Sequence, residues 1–326
     1  MQLEINSSSK ILSRFISSTL VFIALSAGLV QSTHAKTPDA AACRLSLGEH
    51  IASLPEVKIW YRVAGHGPML VAVSPQWGVG SSYLQKGIYP LEKHFTVVYV
   101  DTRGSEHSSR PDDATHMSTS AMVDDLEQLR QYWGVPGLNV LGHSGGGAIV
   151  LGYAERYPSH AEKIIVVDTE VTDLYPSPDT DKILEQWKHD PEHARWVDHA
   201  NDPFQDDATF TRNLSDTLGL YLYRPSKTAK AFAATLPTSI SYWVESNWEK
   251  DDKLLPMSQS EDLGKVKAKS LIIVGRHDFI CPVSMGQRAH EGIQGSQLVI
   301  FEQSGHMPWI EEPGKFFALV TQFLHS

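Results

Sequence analysis

Short apolar runs alternate with longer amphipathic segments along most of the chain, and this alternation restricts the possible fold more than any other feature. Five runs are apolar at nearly every position, as is typical of strands that are covered on both faces. They are residues 95–101, 139–143, 163–168, 270–275 and 297–301. The segments between them have helical periodicity. The pattern therefore predicts an α/β fold with a mostly parallel sheet and crossover helices.

Two earlier apolar runs, residues 57–63 and 69–74, flank a turn with the sequence Gly-His-Gly-Pro. Such a turn favours a hairpin or an adjacent pair of strands. Helices are predicted in three segments that carry an apolar stripe, which are residues 119–133, 146–157 and 316–324. Glycine or proline follows the first two of these segments and is expected to end each helix.

Residues from about 171 to 263 break the alternation of strands and helices. The segment is rich in Asp, His, Trp and Tyr, includes helical stretches at 183–188 and 228–236, and contains no run typical of a buried strand. We expect a helical insertion over the carboxyl ends of the strands, where open α/β sheets bind ligands. No Pro/Gly/Ser-rich linker divides the chain, so residues 36–326 are expected to form one domain that includes this insertion.

The first 35 residues have the features of a signal peptide. Lys10 and Arg14 precede an apolar stretch at 15–30, and residues 33–35 provide a small-residue cleavage site. Three serines interrupt the stretch, which is shorter than the roughly 20 residues that a spanning helix needs. We therefore expect a secreted or periplasmic protein without integral membrane association in its mature form.

The charge and the cysteines exclude some partners and chemistries. The net charge is -10 and no run of Lys and Arg occurs, so we expect no nucleic-acid partner. Cys43 and Cys281 could pair in an oxidising compartment, but the sequence leaves their pairing open. The neighbours of Cys281 offer no means of lowering its pKa, which favours a structural role. No metal-binding motif is complete, and we expect neither a metal nor a cofactor.

The segment Gly142-His143-Ser144-Gly145-Gly146 matches the pattern G-x-S-x-G. It follows a predicted strand and begins a helix of small residues, which is the setting of a nucleophile elbow. The glycines avoid clashes in the tight turn that such an elbow needs. The context predicts Ser144 as a nucleophile, and His143 as a packing or hydrogen-bonding residue.

A serine nucleophile needs a base within hydrogen-bonding reach. His306 follows the predicted strand at 297–301, and Asp278 follows the one at 270–275. Both therefore lie at the edge of the sheet that presents Ser144, in the chain order Ser, Asp, His that is typical of this arrangement. We predict His306 as the general base and Asp278 as the acid that orients it. Asp168, which also ends a strand, is the alternative acid.

An oxyanion hole needs two backbone N–H groups. Gly145, directly after the nucleophile, would supply the first. The second is expected from the loop that follows the run 69–74. Pro75 has no N–H, so Gln76 or Trp77 must supply it, and the sequence does not choose between them.

Three segments together resemble a known family. They are Asp101-Thr102-Arg103-Gly104-Ser105, the Trp77-Gly78 loop and the elbow at 142–146. With them the chain resembles α/β-hydrolase fold enzymes, and among these the proline iminopeptidase-like serine hydrolases, over nearly everything after the leader. The resemblance implies about eight strands, helices on both faces and a helical cap. The chain departs from those enzymes at two places. In the oxyanion loop, residues 74–78 replace a His-Gly-Gly-Pro-Gly type sequence, and at position 145 it has Gly where those enzymes usually have Trp.

The same resemblance implies a place where substrate binds. Proline iminopeptidases hold the amino terminus of the substrate with cap carboxylates, which points to Trp243, Glu245 and Glu249 in an aromatic stretch of the insertion. Exposed helix charges would explain these glutamates equally well. Within 101–105, a buried Asp/Arg pair is expected to hold loops near the site.

The predicted function is hydrolysis of an ester or amide bond in a small-molecule or short-peptide substrate, through an acyl-enzyme intermediate. The substrate is expected to be small and partly apolar. Two alternatives remain open. One is an aminopeptidase of the proline iminopeptidase type, and the other is a non-catalytic or slow-turnover ligand-binding protein on the same fold.

Overall fold

The computed structural model describes residues 44–254 and 257–326, so the predicted signal peptide and Cys43 lie outside the described residues. Eight strands form one sheet. They are β1 (Gly48–Ser53), β2 (Lys58–Gly65), β3 (Met69–Val73), β4 (Thr96–Val100), β5 (Leu138–His143), β6 (Ala161–Val167), β7 (Lys269–Gly275) and β8 (Gln297–Phe301). Their spatial order is β1-β2-β4-β3-β5-β6-β7-β8.

The sheet is mostly parallel, as predicted. Each neighbouring pair from β4 to β8 is parallel, while β1 and β2 are antiparallel to their neighbours. The carboxyl ends of β3, β5, β6, β7 and β8 therefore lie along one edge. This is the edge at which the sequence places the candidate catalytic residues.

The expected pairing of the first two predicted runs is wrong. β4 lies between β2 and β3, antiparallel to β2 and parallel to β3. The reason is that β3 is apolar throughout and is buried from Leu70 to Val73, so it takes an interior place with a parallel strand on each side. β2 carries the exposed Lys58 and the half-buried Arg62 and lies next to the edge strand β1, which the sequence pattern does not predict.

Helices cover both faces of the sheet. They are α1 (Ser82–Gly87), α2 (Thr119–Trp133), α3 (Gly145–Arg156), α4 (Pro178–Trp187), α5 (Ala194–Val197), α6 (Asp207–Thr217), α7 (Pro225–Ala233), α8 (Tyr242–Leu254), α9 (Gln259–Asp262), α10 (Val283–Gly292), α11 (Pro308–Glu311) and α12 (Pro313–His325). Short 3₁₀ helices occur at Tyr89–Lys93, Thr172–Leu174, Leu218–Tyr221 and Leu263–Lys265. None of the helices in the described ranges is long and apolar enough to cross a membrane.

The alternation of side chains along the strands divides the core into two layers. In β3, Val71 and Val73 pack in the layer that contains α2 and α3. Leu70 and Ala72 pack in the layer that contains α12. The strand is thus covered on both faces, which explains why its sequence is apolar at successive positions.

Helices α4 to α9 lie between β6 and β7, and we call this segment the cap. Over the described residues from 168 to 268 it contains helices and loops but no strand. Two backbone hydrogen bonds join it to loops at the carboxyl edge of the sheet. Ser241 N–H donates to the Gly78 carbonyl at 3.2 Å, and His306 N–H donates to the Tyr221 carbonyl at 2.8 Å. These contacts place the cap beside the candidate catalytic residues.

The loop after β4 is held by a buried ion pair, although not by the pair within 101–105 that the sequence suggests. Arg103 is buried and donates from Nε and Nη2 to Asp125 of α2, at 2.8 and 2.7 Å. Asp101 is also buried, but it accepts hydrogen bonds from the backbone and hydroxyl of Ser81. Both residues hold loops near the site, each with a separate partner.

Removing the Asp125 carboxylate should destabilise the fold strongly, because it leaves the Arg103 guanidinium buried without its main partner. We expect Asp125→Ala to lower the free energy of unfolding by about 3–5 kcal/mol. Asp124→Ala is the matched control, because the carboxylate of Asp124, the preceding residue, is half exposed and pairs with Arg156 at the surface. That variant should lose no more than about 1 kcal/mol. Urea unfolding measures both values, and equal losses would contradict the assignment.

Candidate active site

Ser144 lies in a sharp turn between β5 and α3. Its backbone has φ 55° and ψ -130°, a conformation that L-residues rarely adopt. The turn is held by two hydrogen bonds, from Ser144 N–H to the Val167 carbonyl at 3.0 Å and from Gly147 N–H to the Ser144 carbonyl at 2.8 Å. Such strain persists only where the surroundings over-determine it, and it concentrates at functional sites.

The glycines on both sides of Ser144 are required by close backbone contacts. A Cβ on Gly142 would lie 2.3 Å from the Gly146 carbonyl oxygen. One on Gly146 would lie 2.6 Å from the Val73 carbonyl oxygen at the end of β3. The motif therefore allows α3 to begin directly against the sheet edge.

The structure brings Asp278 and His306 together, as the sequence predicts. His306 Nδ1 lies 2.7 Å from Asp278 Oδ2, and both side chains are buried. The other carboxylate oxygen of Asp278 accepts the backbone N–H groups of Ile280 and Cys281 at 2.9 and 3.1 Å. These donors fix the position of the carboxylate. The carboxylate in turn orients the imidazole through Nδ1, so Nε2 takes no part in the bond to Asp278.

Cys281 connects this pair to Ser144. Its Sγ lies within 4.8 Å of the carboxylate of Asp278 and the ring of His306, and its thiol interacts with the Ser144 side chain. Burial raises the pKa of the Cys281 thiol well above its usual value. The thiol thus stays protonated, which agrees with the structural role expected for it and disfavours Cys281 as the nucleophile.

Asp168, the alternative acid, has a different partner. It directly follows β6 with φ 45°, is fully buried, and accepts the Gly275 N–H at 2.6 Å. Its other oxygen finds no donor among the described residues. Burial, and then the nearby Asp278 carboxylate, raise the pKa of Asp168 well above its usual value. The charged form of Asp168 is thus disfavoured beside Asp278, and the imidazole bonds to Asp278 instead.

His143 packs beneath the site as expected. Its Nδ1 lies 2.9 Å from the Tyr83 hydroxyl, and its Nε2 lies 2.9 Å from the His306 carbonyl. Burial lowers the pKa of His143 well below its usual value. The neutral His143 ring donates from Nε2 to the His306 carbonyl and so supports the backbone of the loop that carries His306.

Three backbone N–H groups lie in the loops that the sequence assigns to the oxyanion hole. Among the described residues, no hydrogen-bond acceptor is bound to the N–H of Gln76, Trp77 or Gly145. The Gln76 side chain is buried against the elbow, since a Cβ on Gly145 would lie 1.7 Å from its Oε1. Trp77 is half-buried and packs edge-on against Phe210 of the cap.

Ser144 lines a cavity of about 170 Å³ between the sheet edge and the cap, which we call the nucleophile cavity. Most of its wall is aromatic or aliphatic and comes from Trp77, Tyr175, Phe204, Phe210, Leu214, Tyr221, Trp248 and Ile280. Two carboxyl groups, those of Glu170 and Glu245, line it as well. A pocket of this kind suits a small, largely apolar ligand with one charged or polar group.

The two glutamates share an environment that disfavours their charged forms. Burial, with a smaller opposing contribution from the Gln76 hydrogen bond at 3.0 Å, raises the pKa of Glu170 to about 7. Burial, and then the Glu170 carboxylate, raise the pKa of Glu245 to about 8. Glu245 Oε2 has no hydrogen-bond donor within the described part of the chain. A cation in this cavity would stabilise both carboxylates.

The structure separates the three cap residues that the sequence singles out. Glu245 lines both the nucleophile cavity and an adjoining pocket of about 350 Å³, whereas Glu249 lines only the adjoining pocket and pairs with Lys253. Trp243 packs under the guanidinium of Arg110, 4.5 Å from its ring centre, instead of lining the nucleophile cavity. Trp248 lines the nucleophile cavity in the position that the sequence analysis expected for Trp243. Residues three apart share a helix face, and this spacing from Glu245 is the signal that could have identified Trp248.

Within residues 44–254 and 257–326, two groups of side chains have the donor types of a metal site. They are Asp278 with Cys281 and His306, and Asp101 with Glu106 and His107. In both groups the histidine Nδ1 already bonds to the aspartate, at 2.7 and 2.9 Å.

Comparison with known families agrees with this geometry. The family model described as the alpha/beta hydrolase fold matches residues 76–313, which is most of the chain. The match includes the elbow and the loops that carry Asp278 and His306.

Curated relatives are hydrolases of more than one kind. A proline iminopeptidase of Saccharolobus solfataricus is 26% identical over 273 residues, which cover 81% of this chain and 87% of that protein. A 2-hydroxy-6-oxo-2,4-heptadienoate hydrolase of Pseudomonas putida is 25% identical over 240 residues, which cover 72% and 80%.

Among solved structures, an alpha/beta fold family hydrolase from Bacillus anthracis superposes with a TM-score of 0.68 at 22% identity, covering 85% of this chain and 98% of that one. An esterase from Exiguobacterium antarcticum superposes with a TM-score of 0.63, also at 22% identity, covering 86% and 100%. These likenesses show the shared fold. With the family match over 76–313, they establish that this chain is a member of the α/β-hydrolase fold family of hydrolases.

Proposed function

We propose that the protein is a serine hydrolase that cleaves an ester or amide bond of a small, partly apolar substrate through an acyl-enzyme intermediate. The observation that carries this proposal is the 2.7 Å bond between His306 and Asp278, beside the strained turn that presents Ser144. Family membership makes hydrolysis the expected chemistry, and the mostly apolar nucleophile cavity supports a substrate of this size.

In the proposed reaction His306 Nε2 accepts the proton of the Ser144 hydroxyl as its oxygen attacks the substrate carbonyl. Asp278 keeps the proton on Nδ1 and stabilises the imidazolium that forms. The imidazolium then gives its proton to the leaving oxygen or nitrogen as the bond to the acyl carbon breaks. Water, activated by the same imidazole, releases the acid and restores the serine.

We assign the oxyanion hole to the backbone N–H groups of Gly145 and Gln76. Both lack an acceptor among the described residues, and the Gln76 side chain packs directly against Gly145. We choose Gln76 over Trp77 as the second donor because the buried Gln76 residue is the one that packs against Gly145. Each such donor contributes about 2.7–4 kcal/mol of transition-state stabilisation.

Replacing the nucleophile should abolish turnover while leaving the fold intact. We expect Ser144→Ala to lower kcat by roughly 10⁴- to 10⁶-fold on p-nitrophenyl acetate or on any other accepted ester or amide. Ser284→Ala, at an exposed serine, is the control and should retain the wild-type rate. An unchanged rate for Ser144→Ala would remove this residue from the mechanism.

A second candidate function, an aminopeptidase of the proline iminopeptidase type, is favoured by the Glu170–Glu245 pair. Two carboxyl groups line the cavity beside the nucleophile, the buried Glu170 and the half-buried Glu245 with its unpartnered oxygen, and they would bind the free ammonium group of a short peptide. The relative from Saccharolobus solfataricus agrees with this candidate, and the esterase neighbour agrees with the first. Prolyl p-nitroanilide and p-nitrophenyl acetate, assayed side by side, distinguish them.

The aminopeptidase candidate predicts a specific pH dependence. Both carboxyls are largely protonated at pH 6 and ionised above about pH 8, because the pKa of Glu170 is about 7 and that of Glu245 about 8. An ammonium group binds the ionised forms, so kcat/KM for prolyl p-nitroanilide, relative to p-nitrophenyl acetate, should rise from pH 6 to a maximum near about pH 8. It should fall above that pH, because the amino group of the substrate, with an ordinary pKa of about 8, then loses its proton.

Glu245→Gln should move this maximum down to about pH 7.5, because only Glu170 then has to ionise. It should also lower kcat/KM for the amine substrate by about 10- to 100-fold, as expected for a lost hydrogen bond to a charged group. Glu249→Gln is the matched control, because Glu249 is exposed and pairs with Lys253. It should change the ratio less than twofold. A pH profile and a kcat/KM that are both unchanged in Glu245→Gln would contradict ammonium binding by this residue.

A further inference from the structure

Asp168 combines complete burial with a backbone conformation that is rare for an aspartate. It directly follows β6 and has a φ of 45°, in the left-handed region that few residues other than glycine adopt. Such a conformation persists only where the surroundings over-determine it, and it concentrates at functional sites. The proposed reaction gives Asp168 no step of its own.

Gly275, the last residue of β7, connects Asp168 to Asp278. Its N–H donates to Asp168 Oδ1 at 2.6 Å, and its carbonyl accepts the N–H of Asp278 at 3.3 Å. The pairing of β6 with β7 thus holds both aspartates against the same residue. Their side chains are also in hydrogen-bonding contact with each other. Asp168 therefore lies beside the carboxylate that orients His306.

The second oxygen of Asp168 has no donor. Oδ2 is buried, and no N–H or O–H group of the described residues bonds to it. An ionised oxygen in this place would be costly, because neither water nor the protein compensates its charge. If the oxygen carries a proton, it becomes a donor and needs an acceptor instead.

Asp278 has an acceptor site left for such a proton. A carboxylate offers about four lone-pair sites to hydrogen-bond donors. Three donors occupy this one, which are the backbone N–H groups of Ile280 and Cys281 and the ring N–H of His306. Within the described chain one site therefore remains, and the Asp168 carboxyl is in contact with this carboxylate.

The titratable groups around Asp168 favour its protonated form. Burial, and then the negative charges of Asp278 and Glu311, raise the pKa of Asp168. Cys281 also faces it, and burial keeps that thiol neutral. Two carboxyl groups in contact at a buried site do not both ionise readily. Asp278 has three N–H donors to stabilise a charge, whereas Asp168 has one, so the proton belongs on Asp168.

We propose that Asp168 is a positioning residue of the catalytic triad, which keeps a proton on Oδ2 and donates it in a hydrogen bond to the Asp278 carboxylate. The bond fixes Asp278 from the side opposite in role to His306, and it withdraws part of the negative charge that would otherwise stabilise the imidazolium. The imidazole thus stays a free base at a lower pH than it would beside Asp278 alone. This inference rests on the proposed serine-hydrolase function.

Two substitutions separate the donor of Asp168 from its charge. Asp168→Asn keeps an oxygen for the Gly275 N–H and offers an amide N–H to Asp278, so the pH profile of kcat/KM for p-nitrophenyl acetate should stay as in wild type. Asp168→Leu has a similar shape but no donor. Because the imidazolium is then better stabilised, the pH of half-maximal kcat/KM on the acidic side should rise by about one unit.

Asp124→Asn, at the surface, is the control for loss of a carboxylate and should keep the wild-type profile. An acidic limb that moves to lower pH in Asp168→Asn would overturn the proposal, because it would mean that the substitution removed a negative charge near His306. An unchanged profile in folded Asp168→Leu would overturn it as well, because the donor would then have no effect on the imidazole.

Infrared spectroscopy detects the proton directly and depends neither on turnover nor on the folding of Asp168→Leu. The difference spectrum of wild type minus Asp168→Asn at neutral pH should contain the C=O stretch of a protonated carboxyl group, with a shift in D₂O. A carboxylate band in its place would overturn the proposal.

Ser144→Ala is assayed in parallel to keep the two claims apart. If that variant is inactive while the infrared spectrum shows an ionised Asp168, only the positioning role fails. If Ser144→Ala hydrolyses the ester as wild type does, the proposed function fails, and the positioning role fails with it whatever the infrared result.

Discussion

The backbone turn at Ser144 is the constraint on which the rest of the site depends. A positive φ at a serine is costly, and it is maintained because β5 ends against β3 and β6 while α3 begins at once. The glycines at 142 and 146 allow backbone contacts that a Cβ would prevent. Turn, sheet edge and helix thus form one rigid unit, and the serine hydroxyl is fixed relative to every loop that leaves the same edge.

That edge also explains how distant parts of the sequence can act together. Asp278 follows β7 and His306 follows β8, so parallel strands bring them to the side of β5 that presents Ser144. The cap closes this edge through backbone contacts, among them the bond from His306 to Tyr221. By excluding water it raises the pKa values of Glu170 and Glu245, and its side chains form much of the apolar wall of the nucleophile cavity. Burial of the two carboxyl groups lowers the stability of the fold. The same burial raises their pKa values and thereby determines the chemistry of the cavity.

Local pattern was enough to predict the interior strands, the helix at Thr119–Trp133 and the residues at strand ends. These features depend on periodicity, on caps such as Ser118 and Gly134, and on chain order. The pairing of β2 with β4 could not be predicted in this way, because the choice of neighbour depends on the whole sheet. The partner of Arg103 was missed for the same reason, since Asp125 lies on a helix that only the folded chain brings close.

The cap shows the limit of sequence reasoning most clearly. Glu170 belongs to no motif, and its importance appears only when the cap buries it beside Glu245. Trp243 and Glu245 are two residues apart on one helix, so they point in different directions, and Trp248 shares the face of Glu245. A resemblance to a family indicated the right helix but could not fix its rotation.

The central claim is that Ser144 is the activated nucleophile, and covalent labelling tests it most directly. The folded wild-type protein is treated with a fluorophosphonate and the modified peptide is mapped by mass spectrometry, with Ser144→Ala treated in parallel. We expect one stoichiometric label on Ser144 and none on the variant. A label on another residue, or no label on the folded wild-type protein, would contradict the account.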